Sequence, residues 1–443
     1  MLRFGVRHEH ATTAGPRAMK KILVLFPKDW DRLVFAQPKY RASYRFFYEG
    51  FDLFSFPENA RLIGFDIFRF VEALAARYRR IGLDGIVSNN EQFGAIAASL
   101  LAERLGLPGL APATVITTQH KFYAREHLKA LVPAFLPDYA VFPYAVREEA
   151  EISLPFPFFV KPVKATYSVL ARRVENFAEL RRHLTFNRVE TFVIKQLVKP
   201  FNDVMRARTG FRVDAHHLIA ESLLDGWQVS LEGLVRNGET HVLGIIDAVM
   251  YPGTQAFLRW EYPSRLPAEI KARAIDATRR IIEATKYNHG FFNVELIIGD
   301  AGKGIKLIEI NPRMASQFSD LYDKVDGLDL HAIELQLSCG EKPDLAPREG
   351  RFRYATSFVF RKFDGAPLRL APTRAKLAWL AEFDPDAHLM LYIKRGRSLA
   401  REMKWLGSHR YAVLNMGGSS QEEMMEKYRT VKRHFEFETG ADA

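Results

Sequence analysis

Cysteine is almost absent from this sequence, since Cys339 is the one cysteine among 443 residues. A single thiol cannot form an internal disulfide, and the lack of paired cysteines fits a reducing compartment, so we expect a cytoplasmic protein. The sequence has no CxxC motif and no His/Cys cluster, so nothing in it indicates a zinc site. Long apolar runs are missing as well. Because no apolar stretch reaches about 18 residues, we expect no transmembrane helix.

The first 18 residues lack the apolar centre of a signal peptide. We therefore expect a disordered leader over residues 1–18. An organellar presequence is the alternative, and Met19 is an alternative start of translation.

Positive charge is in excess, with a formal net charge of +11. That excess raises the hypothesis of a nucleic-acid binder. The lysines and arginines are spread along the chain and alternate with apolar residues, a spacing that is typical of solvated surfaces. We therefore favour small anionic ligands over nucleic acid as partners.

The N-terminal part alternates between apolar strands and amphipathic helices. Strands are predicted at residues 21–26 and 84–90, and helices at residues 67–82 and 93–109. This alternation predicts a parallel sheet covered by helices. Glu91 follows a strand and so lies either where such sheets bind ligands or at the start of a helix, where its charge is favourable.

Residues 290–313 carry the clearest chemical signal. Two alternating apolar runs flank GDAGKG, which predicts a β-hairpin. With the turn near Gly302, Glu295 would pair with Glu309 and Asn293 with Asn311, all on one face. The other face would hold the core residues Val294, Leu296, Ile308 and Ile310.

Two facing carboxylates repel each other unless a cation lies between them. Oxygen ligands of this kind suit Mg²⁺, which proteins hold with one or two carboxylates plus substrate phosphates. Arg313 follows the hairpin and could reach a phosphate or acyl oxygen. An amphipathic hairpin whose glutamates face water is the alternative.

The hairpin resembles the "E, then ExNPR" metal hairpin of the ATP-grasp superfamily. The resemblance implies that Glu295, Glu309 and Asn311 bind Mg²⁺, with Mn²⁺ as an alternative metal. It also implies that Arg313 contacts the reacting phosphate and acts in catalysis.

A second match lies at PFFVKP, an apolar strand that ends with a lysine. By the resemblance, Lys161 binds the α- and β-phosphates of ATP and acts in catalysis, and Lys121 contacts a phosphate. The family has glycines in the loop that follows, whereas no glycine occurs between Lys161 and Leu170. Phosphate binding would then depend on Lys164, Thr166 and Ser168.

Residues 219–250 read as three strands and resemble the block that holds the nucleoside of ATP. The resemblance assigns Glu221, Leu223 and Leu224 to the adenine slot. Gln228 occupies the position of an acid that binds ribose, and its amide can still bond to a hydroxyl. A surface meander is the alternative for this block.

The resemblance implies the ATP-grasp fold, of mixed α/β and α+β class. We expect a parallel α/β domain at residues 19–117, an ATP-grasp domain of two α+β subdomains at 118–345, and a C-terminal α+β lobe at 346–443.

The family resemblance implies an ATP-dependent carboxylate–amine ligase that forms an acyl phosphate and releases ADP. Its partners would be small carboxylates and amines, with amino acids as the first choice, and a homodimer is left open. A biotin-carboxylase-like carboxylation is disfavoured because the "VEH" string of that branch is absent. A non-catalytic ATP-binding regulator and a basic nucleic-acid binder remain as alternatives.

Overall fold

The computed structural model places most of the chain between the leader and the C-terminal residues. Ser168, Thr166 and the predicted leader lie outside the described residues. Described are residues 19–53, 57–165, 169–302, 304–346, 348–364, 372–393 and 396–435.

The N-terminal part contains a three-stranded parallel sheet, as predicted. The strands stand in the order β2-β1-β3. They are β1 (Lys20–Leu25), β2 (Tyr44–Glu49) and β3 (Gly85–Val87). The prediction missed β2, because YRFFYE lacks the continuous aliphatic run that marks a buried strand.

Six helices accompany this sheet. They are α1 (Asp29–Phe35), α2 (Pro38–Arg41), α3 (Ile67–Ile81), α4 (Gly94–Leu105), α5 (Pro112–Gln119) and α6 (Lys121–Lys129). The predicted helices correspond to α3 and α4. Gly106 ends α4 in the left-handed conformation (φ 67°), which costs a residue without a Cβ little.

A four-stranded antiparallel sheet follows, with strand order β4-β7-β5-β6. Its strands are β4 (Tyr139–Pro143), β5 (Phe158–Pro162), β6 (Arg172–Val174) and β7 (His217–Ser222). Two helices lie between β6 and β7 in the sequence, α7 (Phe177–His183) and α8 (Arg188–Arg208).

An eight-stranded antiparallel sheet contains the remaining strands. Its order is β12-β11-β8-β9-β10-β13-β15-β14. The strands are β8 (Trp227–Arg236), β9 (Glu239–Met250), β10 (Phe257–Tyr262), β11 (His289–Ile298), β12 (Ile305–Asn311), β13 (Tyr354–Lys362), β14 (His388–Leu391) and β15 (His409–Gly418). The accompanying helices are α9 (Ala268–Ala284), α10 (Ser319–Asp326), α11 (Leu330–Ser338), α12 (Arg374–Phe383), α13 (Gly396–Leu406) and α14 (Gln421–Phe435).

The large sheet crosses the boundary expected between residues 345 and 346. Strand β10 pairs directly with β13, and β13 with β15. The domain boundaries therefore stay predictions. Strands before and after the boundary expected at residue 345 belong to a single hydrogen-bonded sheet. The largest apolar core lies between this sheet, α9 and the N-terminal helices, and includes Leu231, Phe292, Val294 and Ile281. In the described part of the chain, every helix is too short or too polar to cross a membrane.

Candidate active site

The hairpin of β11 and β12 has the predicted register. Asn293 pairs with Asn311, and Glu295 with Glu309. The pairing of residues and the period of two in a strand place all four side chains on one face. The two carboxylates are thus direct cross-strand neighbours.

The opposite face differs from the prediction at one position. The register shifts by one residue just beyond Glu295, so that Leu296 pairs with Leu307 rather than with Ile308. Leu307 is fully buried in the core, whereas Ile308 is only half-buried and lies outside it. The prediction of Ile308 as a core residue was wrong, because a β-bulge inserts one extra residue and reverses the facing of the residues beyond it.

The bulge turns backbone carbonyls toward cationic side chains. Arg125 Nη2 donates to the carbonyl of Leu307 at 3.1 Å and also to that of Ile308. Lys161 Nζ donates to the carbonyl of Ile308 at 3.2 Å. The irregularity in β12 therefore helps to hold two buried cations beside the hairpin.

Strand β8 extends the polar face of the hairpin. Gln228, Ser230 and Glu232 pair with residues of β11 and present polar groups next to its acids and amides. Gln228 Nε2 donates to Glu295 Oε2 at 3.0 Å, and Asn293 Nδ2 donates to Ser230 Oγ at 2.7 Å. The polar face thus continues across three adjacent strands.

The two glutamates of the hairpin differ in their protonation. Lys121 Nζ lies 3.0 Å from Glu309 Oε2, and burial of Glu309 is outweighed by Lys121 and Lys161, which lower its pKa. Burial and the charge of Glu309 raise the pKa of Glu295. One carboxylate therefore has a cation in contact with it, whereas the other favours its neutral form.

Lys161 and Arg125 share one carboxylate. Lys161 Nζ lies 2.7 Å from Glu221 Oε2, and Arg125 Nη2 lies 2.8 Å from Glu221 Oε1. All three side chains are at least nine-tenths buried. Although burial opposes ionisation of Glu221, the two cations lower its pKa. Burial also lowers the pKa of Lys161, and Arg125 adds to this effect while Glu221 opposes it.

Arg313 forms an ion pair with Glu91, which follows β3 of the N-terminal sheet. Arg313 Nη2 lies 2.8 Å from Glu91 Oε2. With its amide oriented to satisfy its neighbours, Asn311 donates to Glu91 Oε1 at 2.8 Å. Lys164 Nζ donates to the carbonyl of Glu91 at 2.9 Å. The loop after the hairpin is thus tied to the carboxyl end of the parallel sheet, where ligands of such sheets bind.

Most of the predicted site residues are brought together by these contacts, while their roles stay predictions. Joined are Lys121, Lys161, Glu221, Gln228, Glu295, Glu309, Asn311 and Arg313. Leu223 and Leu224 are half-buried in the segment that connects the two antiparallel sheets. Ser168 falls on residues that are not described.

Glu232 is a buried acid that sequence reasoning missed. Its Oε1 accepts from the backbone N–H of Ala315 at 2.9 Å, and its Oε2 accepts from Asn293 Nδ2 at 2.9 Å. Burial raises its pKa to about 7. Period two along β8 places Glu232 on the same face as Gln228 and was the signal that could have found it.

The donors of the hairpin fit Mg²⁺ by their chemistry. Glu295 and Glu309 face each other beside the Asn311 amide, and burial together with the charge of Glu309 raises the pKa of Glu295. Among the described residues, no three His, Cys, Asp or Glu side chains form a group that could hold a metal ion by themselves. Such a pair of carboxylates therefore suits an ion that takes its remaining ligands from phosphates and water.

Comparison with known sequences gives matches that include this site. The model of the ATP-grasp domain family matches residues 154–320. Carnosine synthase 1 of Gallus gallus is 30% identical over 274 residues, which are 57% of this chain and 27% of that protein. An uncharacterised protein of Sinorhizobium fredii is 26% identical over 65% of this chain and 56% of its own length. The chain thus spans between about a quarter and just over half of these two relatives.

Comparison with solved structures gives matches over almost the whole chain. The L-amino acid ligase from Bacillus licheniformis superposes with a TM-score of 0.67 at 18% identity, covering 94% of this chain and 97% of that one. The carboxyaminoimidazole ribonucleotide synthase of Aspergillus clavatus, solved with ATP, gives a TM-score of 0.65 at 16% identity, covering 94% and 98%. At these identities the superpositions establish the fold. With the domain match at residues 154–320, they show that this chain has the ATP-grasp fold.

Proposed function

We propose that this protein is an ATP-dependent carboxylate–amine ligase. The observation that carries the proposal is the pair Glu295 and Glu309, held on one face beside Lys121, with Lys161 and Arg313 nearby. The names of an L-amino acid ligase and of carnosine synthase among the similar proteins support the same class.

The reaction would proceed in two transfers. A substrate carboxylate oxygen attacks the γ-phosphorus of ATP, the bond to the bridging oxygen breaks, and ADP leaves. The amine then attacks the carbonyl carbon of the acyl phosphate, phosphate leaves with the bonding electrons, and the amine loses one proton. The products are an amide, ADP and phosphate, and no protein nucleophile is required.

The residues of the chain would serve this chemistry by charge and position. Lys121 and Lys161 would offset the negative charge of the phosphates, and Arg313 would face the group being transferred. Glu295, Glu309 and Asn311 would hold Mg²⁺, which when bound neutralises phosphate charge and orients the phosphates. The Glu221 carboxylate and the Ile308 carbonyl fix Lys161, so little reorganisation of this lysine is needed during reaction.

Leu223, Leu224 and Gln228 would contact the nucleoside. The two leucines lie in the short connection between the sheets and could pack on the adenine. Gln228 already donates to Glu295, so its assignment to the ribose requires that the amide exchange this partner or use its oxygen.

The test is ADP release with Mg-ATP across a panel of amino acids, added singly and in pairs, with hydroxylamine present to trap acyl phosphates. The expected result is ADP release that depends on a particular carboxylate, together with a hydroxamate of that acid. ATP binding without any substrate-dependent ADP release would instead support the non-catalytic regulator. ADP release that requires bicarbonate would support a carboxylation.

A further inference from the structure

Lys28 lies near the site residues Glu91 and Arg313, and among the described residues its ammonium group has no partner. Lys28 follows β1, at the same end of the parallel sheet as Glu91. Within the described ranges, Lys28 Nζ makes no hydrogen bond and no ion pair. Protein atoms surround it while solvent still reaches it, and burial, with Arg313 next in effect, lowers its pKa to about 8. An ammonium in this position is costly unless an anion accompanies it.

Asp31 and Glu91 are the acids that act most strongly on Lys28, and both are paired with other groups. Asp31 accepts from Asn89 Nδ2 at 3.1 Å and from the backbone N–H of Lys28 at 3.0 Å, and lies 3.6 Å from His331 Nε2. Glu91 is paired with Arg313. Neither carboxylate is in contact with the Lys28 ammonium, so neither of them neutralises its positive charge.

Arg313 is a second cation that has unpaired hydrogen-bond donors. Its Nη2 binds Glu91, while its Nε and Nη1 are buried and have no hydrogen-bond partner among the described residues. Arg313 is also the charged group that acts most strongly on Lys28. The region between the N-terminal sheet and the hairpin thus contains two cations that influence each other and have unused donors.

The proposed reaction supplies two anionic groups at this place. One is the transferring phosphate, which was assigned to Arg313. If the amine substrate is an amino acid, it brings a second anion, because its carboxylate stays ionised while its amine is acylated. Lys121 and Lys161 do not compete for that carboxylate, since Glu309 and Glu221 hold them on the hairpin side.

We propose that Lys28 binds the carboxylate of an amino-acid substrate and so selects amino acids over simple amines. The proposal rests on the proposed ligase function and adds the class of its second substrate. The ammonium would donate a charge-assisted hydrogen bond to a carboxylate oxygen.

The test compares L-amino acids with their carboxamides, which keep the amine and side chain but lack the negative charge. Binding is measured by calorimetry on the full chain with Mg²⁺ and a non-hydrolysable ATP analogue. The variants are Lys28→Met, Lys28→Arg and the control Lys39→Met, which removes an exposed lysine of the same region that pairs with Asp329. Circular dichroism and binding of the analogue establish that each variant is folded.

For the native protein we expect the carboxamide of a bound amino acid to bind about 10- to 100-fold more weakly, the value of a hydrogen bond to a charged group. Lys28→Met should reduce that ratio to about threefold or less, Lys28→Arg should keep most of it, and Lys39→Met should leave it unchanged. Equal ratios in native protein and Lys28→Met would overturn the proposal. So would a failure of every amino acid to bind.

ADP release, measured on the same proteins, separates this proposal from the ligase assignment. Amino acids that bind through Lys28 without ever causing ADP release would reject the ligase and keep the carboxylate site. If Lys28→Met releases ADP and still binds amino acids and their carboxamides with the native affinity ratio, the ligase assignment stands and the Lys28 carboxylate site is rejected. If Lys28 instead bound the transferring phosphate, Lys28→Met would slow ADP release by the same factor with L-amino acids and with their carboxamides. That result would also reject the carboxylate site.

Discussion

Lys161 Nζ and Glu221 Oε2 are 2.7 Å apart, although the family resemblance assigns the two residues to opposite ends of ATP. Their strands explain the contact. On the paired strands β5 and β7, Glu221 lies opposite Phe159, so Lys161 is its diagonal neighbour on the same face. Arg125 reaches the other oxygen from α6. The glutamate therefore orients the predicted phosphate-binding lysine, whatever else it contacts.

We expect Glu221→Gln to destabilise the protein strongly. The change leaves Lys161 and Arg125 buried without their shared counter-charge, which typically costs about 3–5 kcal/mol. Urea denaturation followed by fluorescence measures the effect. The control is Glu103→Gln, which breaks an exposed pair with Arg208 and should cost less than about 1 kcal/mol. Equal losses in the two variants would contradict the idea that the buried triad stabilises the fold.

Glu309→Gln should lower turnover by at least about 100-fold without unfolding the protein. The change removes a proposed metal ligand and leaves Lys121 without its carboxylate partner. Steady-state ADP release measures turnover once a substrate is known. Glu283→Gln, an exposed position on α9, is the control and should be fully active. Native-like turnover of Glu309→Gln would reject the proposed metal site.

Binding of Mg-ATP should release a proton from Glu295. Its pKa is raised to about 8 by burial and by Glu309, so the carboxyl is largely protonated at pH 7, and a metal ion would displace that proton. Release approaching one proton is expected at pH 7 and little at pH 9.5, where the carboxyl is already ionised. A pH indicator in weak buffer measures it. Glu295→Gln should abolish the release, and an unchanged signal in that variant would assign the proton to another group.

Glu334→Gln should flatten the pH dependence of stability. Burial and the charge of Asp31 raise the pKa of Glu334 to about 8, and Asn89 donates to both acids. The unfolded state loses this proton from about pH 4.5 upward, whereas the native state keeps it until about pH 8. The native state therefore binds more protons, and stability falls as pH rises through this window.

The size of the fall attributed to Glu334 is on the order of 3 kcal/mol. Urea denaturation of native protein and Glu334→Gln at pH 5, 6, 7 and 8 isolates it as the difference between the two curves. Parallel curves would show that Glu334 ionises in the native state as it does in the unfolded chain.

The hairpin shows what could be predicted from the sequence and what could not. Its ends and its pairing through Glu295 and Glu309 follow from alternation and turn residues, which are local signals. The bulge at Ile308 has no such signal, because one extra residue in a strand changes neither its composition nor its polarity. The hydrogen bonds from Arg125 and Lys161 to backbone carbonyls at the bulge therefore could not be predicted from the sequence.

The ion pairs of the site illustrate the same limit. Arg313 and Glu91 are 222 positions apart, and only the docking of the N-terminal sheet on the hairpin brings them together. Periodicity predicts that Glu91 lies at the end of a strand but does not identify its partner. Lys28 was missed because a lone lysine after a strand carries no pattern, and its meaning depends on which acids nearby are already paired.

The large sheet also bears on how this protein is made. Strand β10 lies inside the sheet, yet its partner β13 begins only at Tyr354, and the next strand of the sheet, β15, begins at His409. On the ribosome, the outer edge of β10 therefore keeps unpaired backbone groups until most of the polypeptide has been translated. Exposed edges of this kind invite association with other chains. We therefore expect the yield of native protein to depend on how quickly β13 is translated after β10, or on capture of the chain by a chaperone in that interval.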